Sequence, residues 1–162
     1  MISIFKDINK FAGRWEWLDK SAIFCARVLP YFLVIFLLIF SVINKKWEIF
    51  IVPLFSAFVS RFIIGSLIYH FYKEKRPAKL KGTNLLIPVP NNPSFPSSHA
   101  TVFFAISFSL LVYNTNLALI FLALSLIIGI ARVFCGVHYF RDIVGGFVAG
   151  LISAGTIYLL LR

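Results

Sequence analysis

Polar residues interrupt this chain so rarely that the interruptions define its elements. Apolar runs at about residues 21–43, 49–72, 97–113, 117–134 and 143–161 are separated by short polar links and one long one. At ~1.5 Å rise per residue, runs of this kind cross a hydrocarbon core ~30 Å thick as helices, because only helices satisfy their own backbone polar groups in lipid. Ahead of them, Phe5, Ile8, Ala12, Trp15 and Leu18 recur at three- and four-residue spacing, while Lys6, Lys10, Arg14 and Lys20 fall largely elsewhere on the wheel. That pattern predicts an amphipathic helix over 2–18, lying in the membrane interface or packed beneath the bundle. The first apolar run is too long for the core of a cleaved signal and is expected to stay as an anchor.

The links set the topology. Asn44-Lys45-Lys46-Trp47-Glu48 turns the chain between the first two runs, and Asn114-Thr115-Asn116 makes the third and fourth antiparallel neighbours. The connection over 73–96 is rich in Lys, Pro, Asn and Ser. Trp15, Trp17 and Trp47 fall just outside the runs, where interface aromatics belong. Gly145, Gly146 and Gly150, with Ala149 and Ser153, give the last run a small-residue face for close helix approach, inside the bundle or between two copies. The expected architecture is therefore an all-α integral membrane bundle, one domain over 1–162 with about five transmembrane helices and an N-terminal amphipathic helix, as a monomer or homodimer.

Composition agrees and narrows the partners. With 60% apolar residues and a mean hydropathy of +0.90, the chain of 162 residues carries more apolar surface than one soluble core of that size could bury. Its net charge is +10, with cations gathered beside the ends of the apolar runs. That placement suits anionic lipid headgroups and phosphates better than nucleic acid. Cys25 and Cys135 lie in or at the end of apolar runs and read as small hydrophobes. Arg61 falls near the middle of the second run, facing a polar cavity or partner, or snorkelling to the interface.

The hairpin after Tyr113 puts the start of the third run and the end of the fourth on one membrane face, so His99 meets Arg132. The second run delivers Lys73 and Arg76 to that side, and His138 and Asp142 fill the link between the fourth and fifth runs. Phosphate transfer needs cationic donors for the nonbridging oxygens, an in-line nucleophile and a proton donor for the leaving oxygen. Arg76 and Arg132 carry forked donors that match phosphate, and Lys73 is a further cation. Ser97 and Ser98 open a helix whose amides can bind an anion. After Glu74, Asp142 is the only acidic residue. If the last helix begins by His138, a four-residue spacing puts Asp142 beside that imidazole, where it would fix the tautomer; His138 becomes the nucleophile and His99 the general acid. One carboxylate among arginines suits a divalent cation poorly, so neither metal nor cofactor is expected.

At these residues the chain resembles the type 2 phosphatidic acid phosphatase family, whose motifs are a Lys followed after six residues by Arg-Pro, a Pro-Ser-Gly-His, and a Ser-Arg-(five)-His-(three)-Asp. Arg76-Pro77 matches the first, Pro96-Ser97-Ser98-His99 the second with Ser98 for Gly, and Arg132, His138 and Asp142 the third with Ala131 for Ser. The first motif's lysine position holds Tyr69, which leaves that contact to Lys73, Lys75 or Arg61. The resemblance implies metal-independent dephosphorylation of a lipid through a phosphohistidine on His138, with His99 protonating the leaving group. The small size, the amphipathic start and Trp17-Leu18-Asp19 are similar to the bacitracin-resistance type of undecaprenyl diphosphatase, which implies a polyprenyl (undecaprenyl) diphosphate substrate, a plasma-membrane location and an outward-facing site. Alternatives are a phosphatidylglycerophosphate or phosphatidate phosphatase and, given Tyr69, a noncatalytic lipid-binding protein of the same fold. The positive-inside rule points the other way. Lys6, Lys10, Arg14, Lys20, Lys73, Lys75, Lys79 and Lys81 share the side of the site, against Lys45, Lys46 and Arg162 opposite. Because some of these cations serve phosphate or lipid, the expectation is an extracytoplasmic site.

Overall fold

A computed structural model describes residues 2–89 and 91–162. The elements among them are helices: α1 (Ile2–Asn9), α2 (Glu16–Ile43), α3 (Glu48–Phe71), α4 (Ser98–Leu110), α5 (Thr115–Phe134) and α6 (Phe140–Leu161). Four of them, α2, α3, α5 and α6, are long and apolar enough to cross a membrane. The chain is a multi-pass membrane protein.

The third apolar run differs from its neighbours. Its helix α4 has only 13 residues, roughly 20 Å, too short to cross alone. It ends early because Asn114 caps the next helix, its Oδ1 accepting from Leu117 N at 2.9 Å, so that α5 starts at Thr115 and residues 111–113 turn. α4 is buried nearly all round by α3, α5 and α6, with Phe103, Phe104, Ile106 and Leu110 in the core. Close approach to α6 depends on glycine. A Cβ at Gly146 would lie 2.4 Å from Ala100 Cβ, and one at Gly150 2.7 Å from the Ala105 amide nitrogen. The small-residue face of the last run is thus occupied inside the bundle.

The continuous helix expected over 2–18 is broken. α1 stops at Asn9, Gly13 takes a φ of +81°, and its N–H donates to both Asp19 carboxylate oxygens at 3.0 and 3.1 Å, which closes a turn before α2. Phe5, Asn9 and Ala12 are buried against the bundle, and Ile4, Trp15 and Trp17 are exposed. Asn9 ties three segments together: its Nδ2 donates to Asn84 O and Phe134 O, both at 2.8 Å, and its Oδ1 accepts from Asn84 N at 2.9 Å. The start of the chain, the long connection and the α5–α6 link therefore meet at one end.

Both of the first two long helices contain a π-helical turn, Phe24–Val28 in α2 and Val59–Ile64 in α3. Such single-turn bulges re-aim the side chains that follow them.

Candidate active site

The α5–α6 link is a tight reversal. After Cys135, Gly136 adopts a φ of +81°, a left-handed conformation that ends helices and that side chains with a Cβ resist. α6 begins at Phe140, so His138 lies on the link and not on the helix as the four-residue spacing had implied. Asp142 reaches it by another route. It is the third residue of α6, and its Oδ2 turns back to accept from Tyr139 N at 2.9 Å and to meet His138 Nδ1 at 3.2 Å. Ser94 from the long connection donates its hydroxyl to the same oxygen. His138 and Asp142 are buried, at 1% and 0% exposure.

Arg76 holds the other edge of the imidazole. Its Nε donates to Asn92 O at 3.0 Å, Nη2 to Asn92 Oδ1 at 2.7 Å and Pro93 O at 3.1 Å, and Nη1 to Val137 O at 3.0 Å. The remaining Nη1 proton points to His138 Nε2 at 3.1 Å. A guanidinium only donates. Nε2 therefore carries the lone pair and Nδ1 the proton, which it gives to Asp142. Burial pushes the His138 imidazole down to about 4, against the upward pull of its hydrogen bond to Asp142. Burial likewise draws Arg76 below its ordinary value.

Arg132, in the last turn of α5, is buried and far less committed. Its Nη1 donates to Ala26 O at 3.4 Å, and its Nε has no partner among the described residues. It lines a cavity of about 370 Å³ with Arg27, Tyr31 and His99. His99 also lines a second cavity of about 260 Å³, with Tyr31, Arg61 and Ser98. His99 and Tyr31 thus border both cavities.

The two serines before His99 divide their tasks. Ser97 N donates to Asp142 O at 3.0 Å, which removes that amide from anion binding and joins the start of α4 to the start of α6. The amides of Ser98 and His99, in the first turn of α4, have no intrahelical acceptor. Tyr69, in the place of the motif lysine, donates its hydroxyl to Pro96 O at 2.7 Å and meets Ser98 Oγ at 3.0 Å, so it braces this turn. Lys73 stands apart. It is exposed and lines a different cavity, of about 380 Å³, with Tyr69, Arg76 and Asn92; neither His99 nor His138 borders it.

Ser94 and Asn92 were not legible in the sequence, since one polar residue in a connection full of them carries no distinguishing signal. Asn9 was hidden for a similar reason: it borders the buried stripe of Phe5 and Ala12, but a single Asn there carries no sign of the contacts it makes. Arg27, by contrast, is a charge inside an apolar run, a signal of the same kind as Arg61.

Residues 50–162 match the family model described as the PAP2 superfamily. The bacitracin transport permease protein BcrC of Bacillus licheniformis is 30% identical over 155 residues, covering 94% of this chain and 76% of that one. The undecaprenyl-diphosphatase BcrC of Bacillus subtilis is 29% identical over 153 residues, covering 92% and 78%. Among solved structures, that of Aquifex aeolicus LpxE superposes with a TM-score of 0.74 at 26% identity, covering 98% of this chain and 94% of the other.

Proposed function

We propose that this membrane phosphatase, which belongs to the PAP2 superfamily, hydrolyses a polyprenyl diphosphate of the undecaprenyl type to the monophosphate through a phosphohistidine. The observation that carries the reading is the line Arg76–His138–Asp142, which leaves a lone pair on Nε2 and a carboxylate behind Nδ1. As the terminal phosphoryl group enters, Arg76 Nη1 shifts its hydrogen bond from Nε2 to a nonbridging oxygen. Nε2 attacks phosphorus and the bond to the bridging oxygen breaks. Asp142 stabilises the cationic imidazole as charge develops, the orienting role of a carboxylate behind a catalytic histidine. Arg132 and the amides of Ser98 and His99 take the remaining nonbridging oxygens. His99 protonates the departing oxygen, then takes a proton from the water that cleaves the P–N bond and releases inorganic phosphate.

The name of one relative denotes transport and that of the other hydrolysis. A buried nucleophile with a fixed tautomer supports hydrolysis, because carriage alone has no use for it. The site is proposed to lie at the extracytoplasmic face and to work without a metal, since among the described residues no group of three or more His, Cys, Asp or Glu side chains is arranged to hold one, and the Asp142 Oδ2 behind His138 already accepts from His138, Tyr139 and Ser94. Lys73 is proposed as a cation at the rim that attracts substrate.

The test is phosphate release from undecaprenyl diphosphate by the detergent-purified protein in EDTA, with phosphatidate and phosphatidylglycerophosphate as rival substrates and His138→Ala alongside. Release that persists in EDTA, favours the diphosphate and vanishes in the variant is expected. Faster release from either glycerophospholipid would transfer the assignment to that lipid.

A further inference from the structure

Two arginines outside the three motifs border cavities shared with His99, and each sits in a π-helical turn. Arg27 belongs to the turn Phe24–Val28 of α2 and borders the cavity of Arg132 and His99. Arg61 belongs to the turn Val59–Ile64 of α3 and borders the cavity of Ser98 and His99. Tyr31 and His99 line both cavities, so the arginines border neighbouring cavities that meet at His99.

Neither guanidinium is balanced. Among the described residues no carboxylate lies within ion-pair distance of Arg27 or Arg61, and neither side chain donates a hydrogen bond to protein. Arg61 is held over the Tyr69 ring at 5.2 Å and the Phe62 ring at 5.4 Å, contacts that orient its plane and leave its donors open. A charge within a membrane-spanning helix is costly unless it meets a partner. Arg27, exposed, and Arg61, half-buried, stand near a third cation, the buried Arg132 with its unpartnered Nε, and three cations around His99 suit an anion larger in charge than the one phosphoryl group that His138 attacks.

We infer that Arg27 and Arg61 bind the second, lipid-linked phosphate of a diphosphate substrate and so select anhydrides over monoesters at this site. The inference deepens the proposed function and rests on it. In this arrangement the terminal phosphorus sits at His138 Nε2, His99 protonates the bridging oxygen, and the second phosphate occupies the cavities beside His99 that Arg27 and Arg61 border. When the bond to the bridging oxygen breaks and His99 protonates that oxygen, Arg27 and Arg61 neutralise the departing lipid phosphate. Its chain then leaves along the apolar wall of Val34, Val102 and Phe103, beside Arg61.

The experiment compares kcat/KM for a polyprenyl diphosphate and for phosphatidate in wild-type protein, Arg27→Gln and Arg61→Gln. Each variant is expected to lose about 10- to 100-fold on the diphosphate, the range of a lost charge-assisted contact, and at least tenfold less on the monoester. Equal losses on both lipids, or a larger loss on the monoester, would overturn the inference. A second arm needs neither turnover nor folded variants: the rise in melting temperature of wild-type protein with methylenediphosphonate or with inorganic phosphate. A half-maximal rise at tenfold or more lower diphosphonate concentration is expected, and equal potency would sink the idea. If wild-type protein releases no phosphate from any lipid diphosphate, the proposed function fails. The melting arm then still decides whether a diphosphate site exists.

Discussion

At the scale of single residues, His138 is set between a pure donor and a carboxylate, and its reactivity follows from which proton each neighbour allows. Asp142→Asn replaces the acceptor behind Nδ1 with an amide that can present its own N–H, which favours the wrong tautomer. Its kcat should fall by about 100-fold or more with KM little changed; a rise in KM alone would make Asp142 a structural residue. Ser94→Ala removes one of three donors to a buried carboxylate, and a loss of about 1–3 kcal/mol in unfolding free energy is expected with a smaller drop in kcat. The pH dependence has a definite sign. Burial lowers the His138 imidazole from its usual 6.5 to about 4, so the neutral nucleophile persists to about pH 4, and the acid limb of kcat/KM from this group should lie there. The unfolded chain takes up this proton first. Stability contributed by the neutral side chain is therefore full above about pH 6.5 and declines as pH falls toward 4. A limb near 6.5 would show that a different, exposed base limits the rate. The histidines, Arg132 and Asp142 were readable as site candidates from their spacing. Arg76 was readable as a candidate phosphate donor, yet its partners Asn92, Pro93 and Val137 come from other segments, and only they place its guanidinium against Nε2.

At the scale of elements, α4 is central to the candidate site because three long helices pack on it. Its starting turn presents Ser98 and His99, its body contacts α3, α5 and α6, and its proximity to α6 brings Ser97 N onto Asp142 O. Gly150→Leu should therefore separate α4 from α6. The clash at 2.7 Å is with backbone and no rotamer relieves it, so an overpacking cost of about 1–3 kcal/mol and lost turnover are expected. Leu151→Ala, at a half-exposed position one residue along, serves as the control, and equal melting temperatures for the two variants would contradict this packing account. Hydropathy marked α4 as one more span. It could not show that this run is shorter and surrounded by protein, because an apolar residue scores alike whether a lipid tail or another helix covers it. The π-turns were unreadable for a related reason: one extra residue in a turn shifts the phase of an apolar stripe, and runs apolar on nearly every side have no stripe to shift.

At the scale of the whole molecule, the chain brings its N-terminal helix, its long connection and its α5–α6 link to one end, clamped by Asn9. That end is proposed to face outward. Asn91, exposed on the long connection, offers a reporter: Asn91→Cys should react with a membrane-impermeant thiol reagent in intact cells, and protection there with labelling after lysis would reverse the orientation. The sequence by itself determined the membrane class, the helical architecture and the pairing of the motifs at one rim. These follow from local rules: apolar length sets a span, and a short hairpin forces its two helices to run antiparallel. Only the tertiary structure decided that Tyr69 braces the start of α4 in place of a lysine, that Lys73 lines a separate cavity, that Ser94 bonds Asp142 and Asn92 holds Arg76, and that Arg27 and Arg61 border cavities sharing Tyr31 and His99. Those outcomes depend on how helices rotate and dock against one another, and a linear pattern of polarity specifies which side of a helix is apolar without specifying which partner meets it.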